Sequence, residues 1–197
     1  EKIAEINQAA AELNVIQPLM LRITDADASL YSGQVAGFFS DELPEILHYL
    51  KTLKHVCLGG ITVFPALLYN EEAKQIQATS NVNGLLRALQ RIQAESSQPL
   101  LINIPSATCC TSIPLIRQLG GNNGEPGHGL TGTTPLHKAE PQPENIGYVY
   151  VSEISHNYKD KAYCYGGGHY RRGHMAHVLV GSDPAQARLL PIAAPDD

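Results

Sequence analysis

The sequence predicts an α/β fold with a parallel sheet, followed by a small all-β unit, and three observations predict it. From Glu1 to Leu119, dense apolar runs of strand length alternate with segments whose apolar residues recur at steps of three and four. The strand candidates are apolar throughout, as expected of parallel strands covered on both faces by helices. After Pro135 the helical spacing gives way to short β-rich stretches. In parallel α/β sheets ligands sit at the carboxyl ends of the strands, so the residues just after each strand are the informative ones.

Taken in order, Ile3, Ile6, Ala10 and Leu13 define one face of a first helix that begins without an N-cap. Val15–Thr24 is the first strand, and the polar stretch Asp25–Gly37 has the composition of an active-site loop. Ser40 or Asp41 caps a second helix that tolerates Pro44 in its first turn and buries Leu43, Ile46, Leu47, Leu50 and Leu53. Val56–Leu68 reads as a second strand, Gln75–Ala94 as a third helix and Pro99–Ile104 as a third strand. Ser112–Leu119 is a short helix. Lys138–Asn145 reads as a linker, and Tyr148–Ile154, Ala162–Tyr165 and His174–Val180 as strands of the second unit. The expected domains are residues 1–140 and 141–197, the second too small to be a complete domain.

Composition narrows the function classes. The 197 residues carry a formal net charge of −5, which argues against a general nucleic-acid binder. No apolar run is long enough to span a membrane. The amino terminus, EKIAEINQAA, has no initiator Met and no signal-type core, so the sequence is expected to be processed or part of something longer. Cys57, Cys109, Cys110 and Cys164 form no C-x-x-C pair, which predicts reduced thiols and a cytoplasmic location.

Gly120–Pro135, GGNNGEPGHGLTGTTP, contains six glycines, Glu125 and His128. Glycine lets backbone N–H groups approach a ligand closely, which suits an anion such as phosphate. One carboxylate within the loop predicts that the ligand also has a positive or proton-accepting end. A plain surface turn is the alternative.

The segments SATCC, GEPGH-LTGTTP, YVSE-SH and YGGGHYRR occur in that order, and the likeness they carry runs from about Ile16 to Val180. EPGHG resembles the EPGR-type loop of pyridoxal 5'-phosphate (PLP)-dependent amino-acid decarboxylases that share the alanine-racemase fold. The whole set resembles alanine-racemase-like proteins of fold type III, and most of all their YhfX-type branch. The resemblance implies the C-terminal half of a PLP-binding (β/α)8 barrel, about strands five to eight, followed by the beginning of a β domain. It implies a homodimer, an amino-acid substrate and chemistry at the α-carbon, most simply a racemase or epimerase. The alternatives are a decarboxylase and a non-catalytic PLP- or phosphate-binding barrel. The Schiff-base lysine of the family lies in the other barrel half, so this stretch alone is expected to be inactive.

The resemblance also assigns roles. Glu125 would keep the pyridine nitrogen protonated, where alanine racemases carry an arginine. Gly127, His128 and Gly129 would hold the phosphate through backbone N–H groups, with Ser106 and Thr108 adding hydroxyls. Arg22 would reach the phenolic oxygen, and Tyr165 would be the second acid/base, supplied by the partner subunit. A loop carboxylate, strand-end hydroxyls, a surface ion-pair arginine and a packing tyrosine are the plain alternatives. His156, His169, His174 and His177 with Cys164 match no closed zinc spacing, so no metal is expected. A metal-dependent hydrolase using these histidines is the third functional reading. Arg171–Arg172 is too small a patch for nucleic acid.

Overall fold

The computed structural model describes residues 1–147, 149–165, 177–183 and 185–192. The chain divides into two compact units, Glu1–Tyr148 and Val149–Asp197.

The first unit is mixed α/β. Helix α1 (Lys2–Glu12) leads into strand β1 (Gln17–Thr24), followed by the two-residue strand β2 (Phe38–Phe39), helix α2 (Leu43–Thr52) and strand β3 (Val56–Thr62). Then come β4 (Leu67–Asn70), β5 (Gln75–Ala78), α3 (Asn81–Glu95), β6 (Leu101–Asn103), α4 (Ile113–Gln118) and α5 (Gly127–Thr131). The main sheet is parallel and ordered β2–β1–β3–β6. An isolated parallel bridge, Asn103 to Asn123, extends it by one position.

Leu19, Leu21 and Ile23 alternate along β1 and are buried with Ile61 of β3. They join Leu47 and Leu50 of α2 and Leu85, Ala88 and Ile92 of α3 in one core. Helices α1 and α3 touch both β1 and β3. The opposite sheet face is different. Met20 of β1 and Leu101 of β6 remain 40% and 50% exposed. The expectation of a sheet covered on both faces is therefore corrected: among the described residues one face is covered, and no closed barrel is formed. Strands apolar on both sides mark burial only when both sides find a partner.

Two further boundaries differ from the sequence reading. The run Val56–Leu68 is not one strand: β3 stops at Thr62, the Phe64–Pro65 peptide is cis, and Leu67 opens an antiparallel hairpin of β4 with β5. That hairpin takes Gln75–Ala78 away from the expected helix, so α3 starts at Asn81. Residues 138–145 do not form a loose linker either. Leu136 is buried, Gln142 Oε1 accepts a hydrogen bond from Thr111 at 2.8 Å, and the Gly147 N–H donates to the Thr131 carbonyl at 2.8 Å.

In the second unit, β7 (Ile154–Tyr158) pairs antiparallel with β8 (Lys161–Cys164), and β9 (His177–Val180) with β10 (Arg188–Pro191). Strand pairing starts at Ile154, at the end of the expected Tyr148–Ile154 strand, and β10 had no signal in the sequence reading. His156 stacks on Tyr163 across the first hairpin with ring centroids 4.7 Å apart.

Candidate functional site at the carboxyl edge of the sheet

The carboxyl ends of the parallel strands carry one lateral row of polar residues. Arg22 is in register with Thr62, Thr62 with Asn103, and Asn103 bridges to Asn123. On the covered side of the sheet the neighbouring positions Leu21, Ile23 and Ile61 are buried. The pleat thus turns Arg22, Thr62 and Asn103 toward the open face.

Asn103 is the centre of this row and is 1% exposed. Its Nδ2 donates to Thr62 Oγ1 at 2.9 Å and to Glu125 Oε1 at 2.7 Å, and its Oδ1 accepts from Asn123 Nδ2 at 2.9 Å. Glu125 is also fixed through its backbone: its N–H donates to Thr108 Oγ1 at 3.1 Å, and its carbonyl accepts from the Gly127 N–H at 2.9 Å. Glu125 as a residue is exposed.

The loop after β6 approaches from the other side. Ser106 and Ala107 both adopt positive φ, at 73° and 43°. Ser106 Oγ accepts the Ala66 N–H at 3.3 Å, which fastens this loop to the one after β3. Thr108 is buried against the glycines: a Cβ on Gly124 would lie 3.0 Å from its Cγ2, and one on Gly129 would lie 2.4 Å from its carbonyl oxygen. Ser106, Thr108, Glu125 and Gly129 are therefore gathered in two loops packed together.

Gly127, His128 and Gly129 form the first turn of α5. The Gly127 N–H is engaged by the Glu125 carbonyl. The N–H groups of His128 and Gly129 have no intrahelical acceptor in a first turn. A Cβ on Gly127 would meet nothing within 4 Å, so space lies open beside it. The His128 ring is half-buried, with Nδ1 buried and without a hydrogen-bond partner. Burial pushes its pKa below the ordinary imidazole value, partly countered by the Glu144 carboxylate. His128 is consequently a neutral ring at neutral pH, unlike an arginine at that place. Glu144 Oε1 accepts the Cys110 N–H at 2.5 Å. Burial opposes its ionisation, yet hydrogen bonds from the backbone of Cys110 and Glu144 outweigh that and hold its carboxyl below the usual range.

Arg22 closes the other end of the row. Its Nη2 donates to the Phe64 carbonyl at 3.2 Å, and the guanidinium lies 5.9 Å from the centre of the Phe64 ring. Phe64 in turn packs on Tyr31 of the polar loop, with centroids 5.8 Å apart. The Nε of Arg22 is buried without a partner, and Arg22 makes no ion pair among the described residues. Tyr165 belongs to the second unit, where it follows β8, is 60% exposed, and bonds through its backbone to Glu153 and Ser152. It is not brought together with the other site residues within one unit.

Sequence reasoning gave no role to Thr62, Asn103, Asn123 or Glu144. Among the described residues, no three His, Cys, Asp or Glu are grouped to hold a metal, and Cys57, Cys109, Cys110 and Cys164 are free thiols. His169, His174, Arg171 and Arg172 lie outside the described residues. No helix among the described residues is long and apolar enough to cross a membrane.

Residues 149–196 match the family model described as YhfX-like, C-terminal domain. The chain is similar to the YhfX type. Over 180 residues it is 42% identical to the uncharacterized protein YhfX of Escherichia coli (strain K12), a match covering 91% of this chain and 46% of that protein. The chain thus spans about half the length of the curated relative it matches. The family-model match begins where the two compact units divide, eight residues beyond the boundary expected from composition.

Proposed function

We propose that this chain is part of a PLP-dependent enzyme acting at the α-carbon of an amino acid, most simply a racemase or epimerase. The observation that carries the reading is the pairing of a fixed carboxylate with an open glycine turn. Glu125 is held by Asn103 and Thr108 at the sheet's carboxyl edge, two residues before a turn that has free space beside Gly127.

The donor set fits PLP. Glu125 would accept the proton-bearing ring nitrogen. The N–H groups of His128 and Gly129, with the Ser106 and Thr108 hydroxyls nearby, would face the phosphate. The Arg22 Nε, without a partner among the described residues, would supply a buried donor for an anionic oxygen. When bound, PLP supplies an electron sink for negative charge developing at the α-carbon. The work of this chain is then to hold Glu125 as an acceptor, to keep the phosphate turn rigid, and to present Tyr165 to a partner subunit's site as an acid/base in a homodimer.

A carboxylate at position 125 also favours a second reading, amino-acid decarboxylation, because a protonated ring nitrogen makes a stronger sink than one beside an arginine. The test uses the full-length polypeptide with added PLP. Borohydride reduction followed by peptide mass spectrometry should yield a lysine adduct. Incubation of amino acids in D2O should introduce deuterium at the α-carbon. Carbon dioxide release without deuterium exchange into recovered substrate selects the decarboxylase. A PLP complex with neither adduct nor exchange selects a non-catalytic binder, and the absence of any PLP complex refutes the reading.

A further inference from the structure

We infer that Asn103 orients Glu125 as a one-sided hydrogen-bond acceptor, and thereby restricts this end of the site to ligands that present an N–H donor. The inference rests on the proposed function for the identity of the ligand, and on geometry for everything else. Asn103 cannot turn its amide around. Its two N–H bonds go to Glu125 Oε1 and Thr62 Oγ1, and its carbonyl oxygen receives the N–H of Asn123. A flipped amide would face the carboxylate with its own oxygen and would set two N–H groups against each other at Asn123. Asn123 is itself tied by its backbone, its N–H to the Ile102 carbonyl and its carbonyl to the Ile104 N–H.

A purely structural role accounts for only part of this network. Thr62 and Asn123 cross-link adjacent strands, and a buried asparagine at a strand end does that without a third partner. The third bond satisfies the second N–H of the buried amide and, at its other end, holds a carboxylate of an exposed residue that water alone would leave free to turn. What it does is fix a direction. With Oε1 occupied and the Glu125 N–H anchored on Thr108, the second carboxylate oxygen is left as the acceptor for an incoming group. A protonated ring nitrogen or an ammonium satisfies it, whereas a phosphate or carboxylate end is repelled. Arg22, at the opposite end of the same row, offers a donor without an ion-pair partner among the described residues. The row is therefore polar along its length, donor at β1 and acceptor beyond β6, and a ligand can dock in one sense only.

The experiment compares binding of PLP with binding of its analogue in which a C–H replaces the ring nitrogen, using the full-length protein. Wild-type protein should prefer PLP. Asn103→Leu should weaken PLP binding by about tenfold or more, the loss expected for one hydrogen bond to a charged group, and should leave binding of the C–H analogue unchanged. In a Glu125→Gln background the same substitution should have no further effect on PLP. Asn103→Ser, uncharged and polar, provides the same comparison if the leucine variant melts early. Equal weakening of both ligands, or an additive effect in the Glu125→Gln background, overturns the orienting role while leaving the functional reading in place. A wild-type protein that binds both ligands equally places no ring nitrogen at Glu125 and also overturns it. One that binds neither refutes the functional reading, and this inference with it.

Discussion

Replacing Gly129 with alanine should destabilise the first unit, and replacing Gly127, two residues earlier in the same short helix, should not. At Gly129 the new Cβ would lie 2.4 Å from the Thr108 carbonyl oxygen and 3.2 Å from the Cys109 Cα. Both are backbone atoms of a loop already held by Ser112 Oγ to the Cys109 N–H at 2.9 Å, so they cannot swing aside as a side-chain tip would. Overpacking of this kind costs about 1–3 kcal/mol, and the better helix propensity of alanine returns about 0.5–1 kcal/mol. The net loss, up to about 2.5 kcal/mol, corresponds to a fall of up to about 10 °C in melting temperature for a unit of this size. At Gly127 the methyl meets nothing within 4 Å, so only the propensity gain remains. Under the proposed function that methyl would enter the space meant for the phosphate and weaken ligand binding without lowering stability. Thermal melts followed by circular dichroism read both variants. If Gly129→Ala melts with wild type, or Gly127→Ala falls as far, the packing of the two loops is not as described.

Other outcomes follow from the same geometry. Leu85→Ala, at a fully buried position of α3, should cost about 2–5 kcal/mol in chemical denaturation, because neighbours on β1 and α2 cannot collapse into the space. The exposed Cys110 thiol is pushed above its ordinary pKa, mainly by its hydrogen bond to Glu144, so it should alkylate more slowly than a free thiol. Glu144→Gln should speed that reaction, as read by peptide mass spectrometry at pH 8 (about half a unit below an ordinary thiol pKa). His128 titrates below its unfolded value of 6.5, so its effect on stability is complete above that pH. As pH falls from 6.5 toward the lowered folded value, the unfolded chain takes up the proton first and stability drops. His128→Asn should flatten this part of the stability–pH curve, measured by melts at closely spaced pH.

The apolar periodicity made the main elements readable: Leu19, Leu21 and Ile23, Leu47 and Leu50, and Leu85 and Ile92 sit where their spacing puts them. The β4–β5 hairpin was not readable, because Val63, Ala66 and Leu67 are as buried in a turn and a hairpin start as they would be in a strand. Pro65 was the available signal, since a proline inside an apolar run argues against a continuous strand. Residues 138–145 looked like a linker because their fastening uses backbone groups and polar tips, such as Glu144 on Cys110, which composition does not reveal. Glu125 and Gly129 stand in the glycine loop that the sequence singled out, and Thr108 was named through the family resemblance. Asn103 was harder to single out. Its part depends on register across three chain segments, and register between parallel strands is set by tertiary packing.

From β1 to β3 to β6 to the Asn123 bridge the spatial order advances with the chain, and the two-residue β2, on the other side of β1, is the one parallel strand among the described residues that departs from it. A doubly wound sheet reverses direction at a switch point and binds its ligand in the crevice there. The advance from β1 through β3 and β6 to the Asn123 bridge instead sets those carboxyl-end loops side by side along one rim, the arrangement in which several strands contribute to one site. Arg22, Thr62, Asn103 and Glu125 occupy successive places on such a rim. Beyond β1 the rim is continued only by β2, which pairs with Ile23 and Thr24 and leaves the earlier residues of β1 without a neighbour on that side among the described residues. An unpaired strand edge of that length is a site for further pairing. Lys51 lies in α2, Lys54 just beyond it, Lys74 in the hairpin turn, Lys2 in α1 and Lys138 in a short 3₁₀ turn, so none stands on the rim. The proposed chemistry therefore needs its lysine from a segment other than these, and an adduct found on any of the five would contradict the rim as the place of reaction.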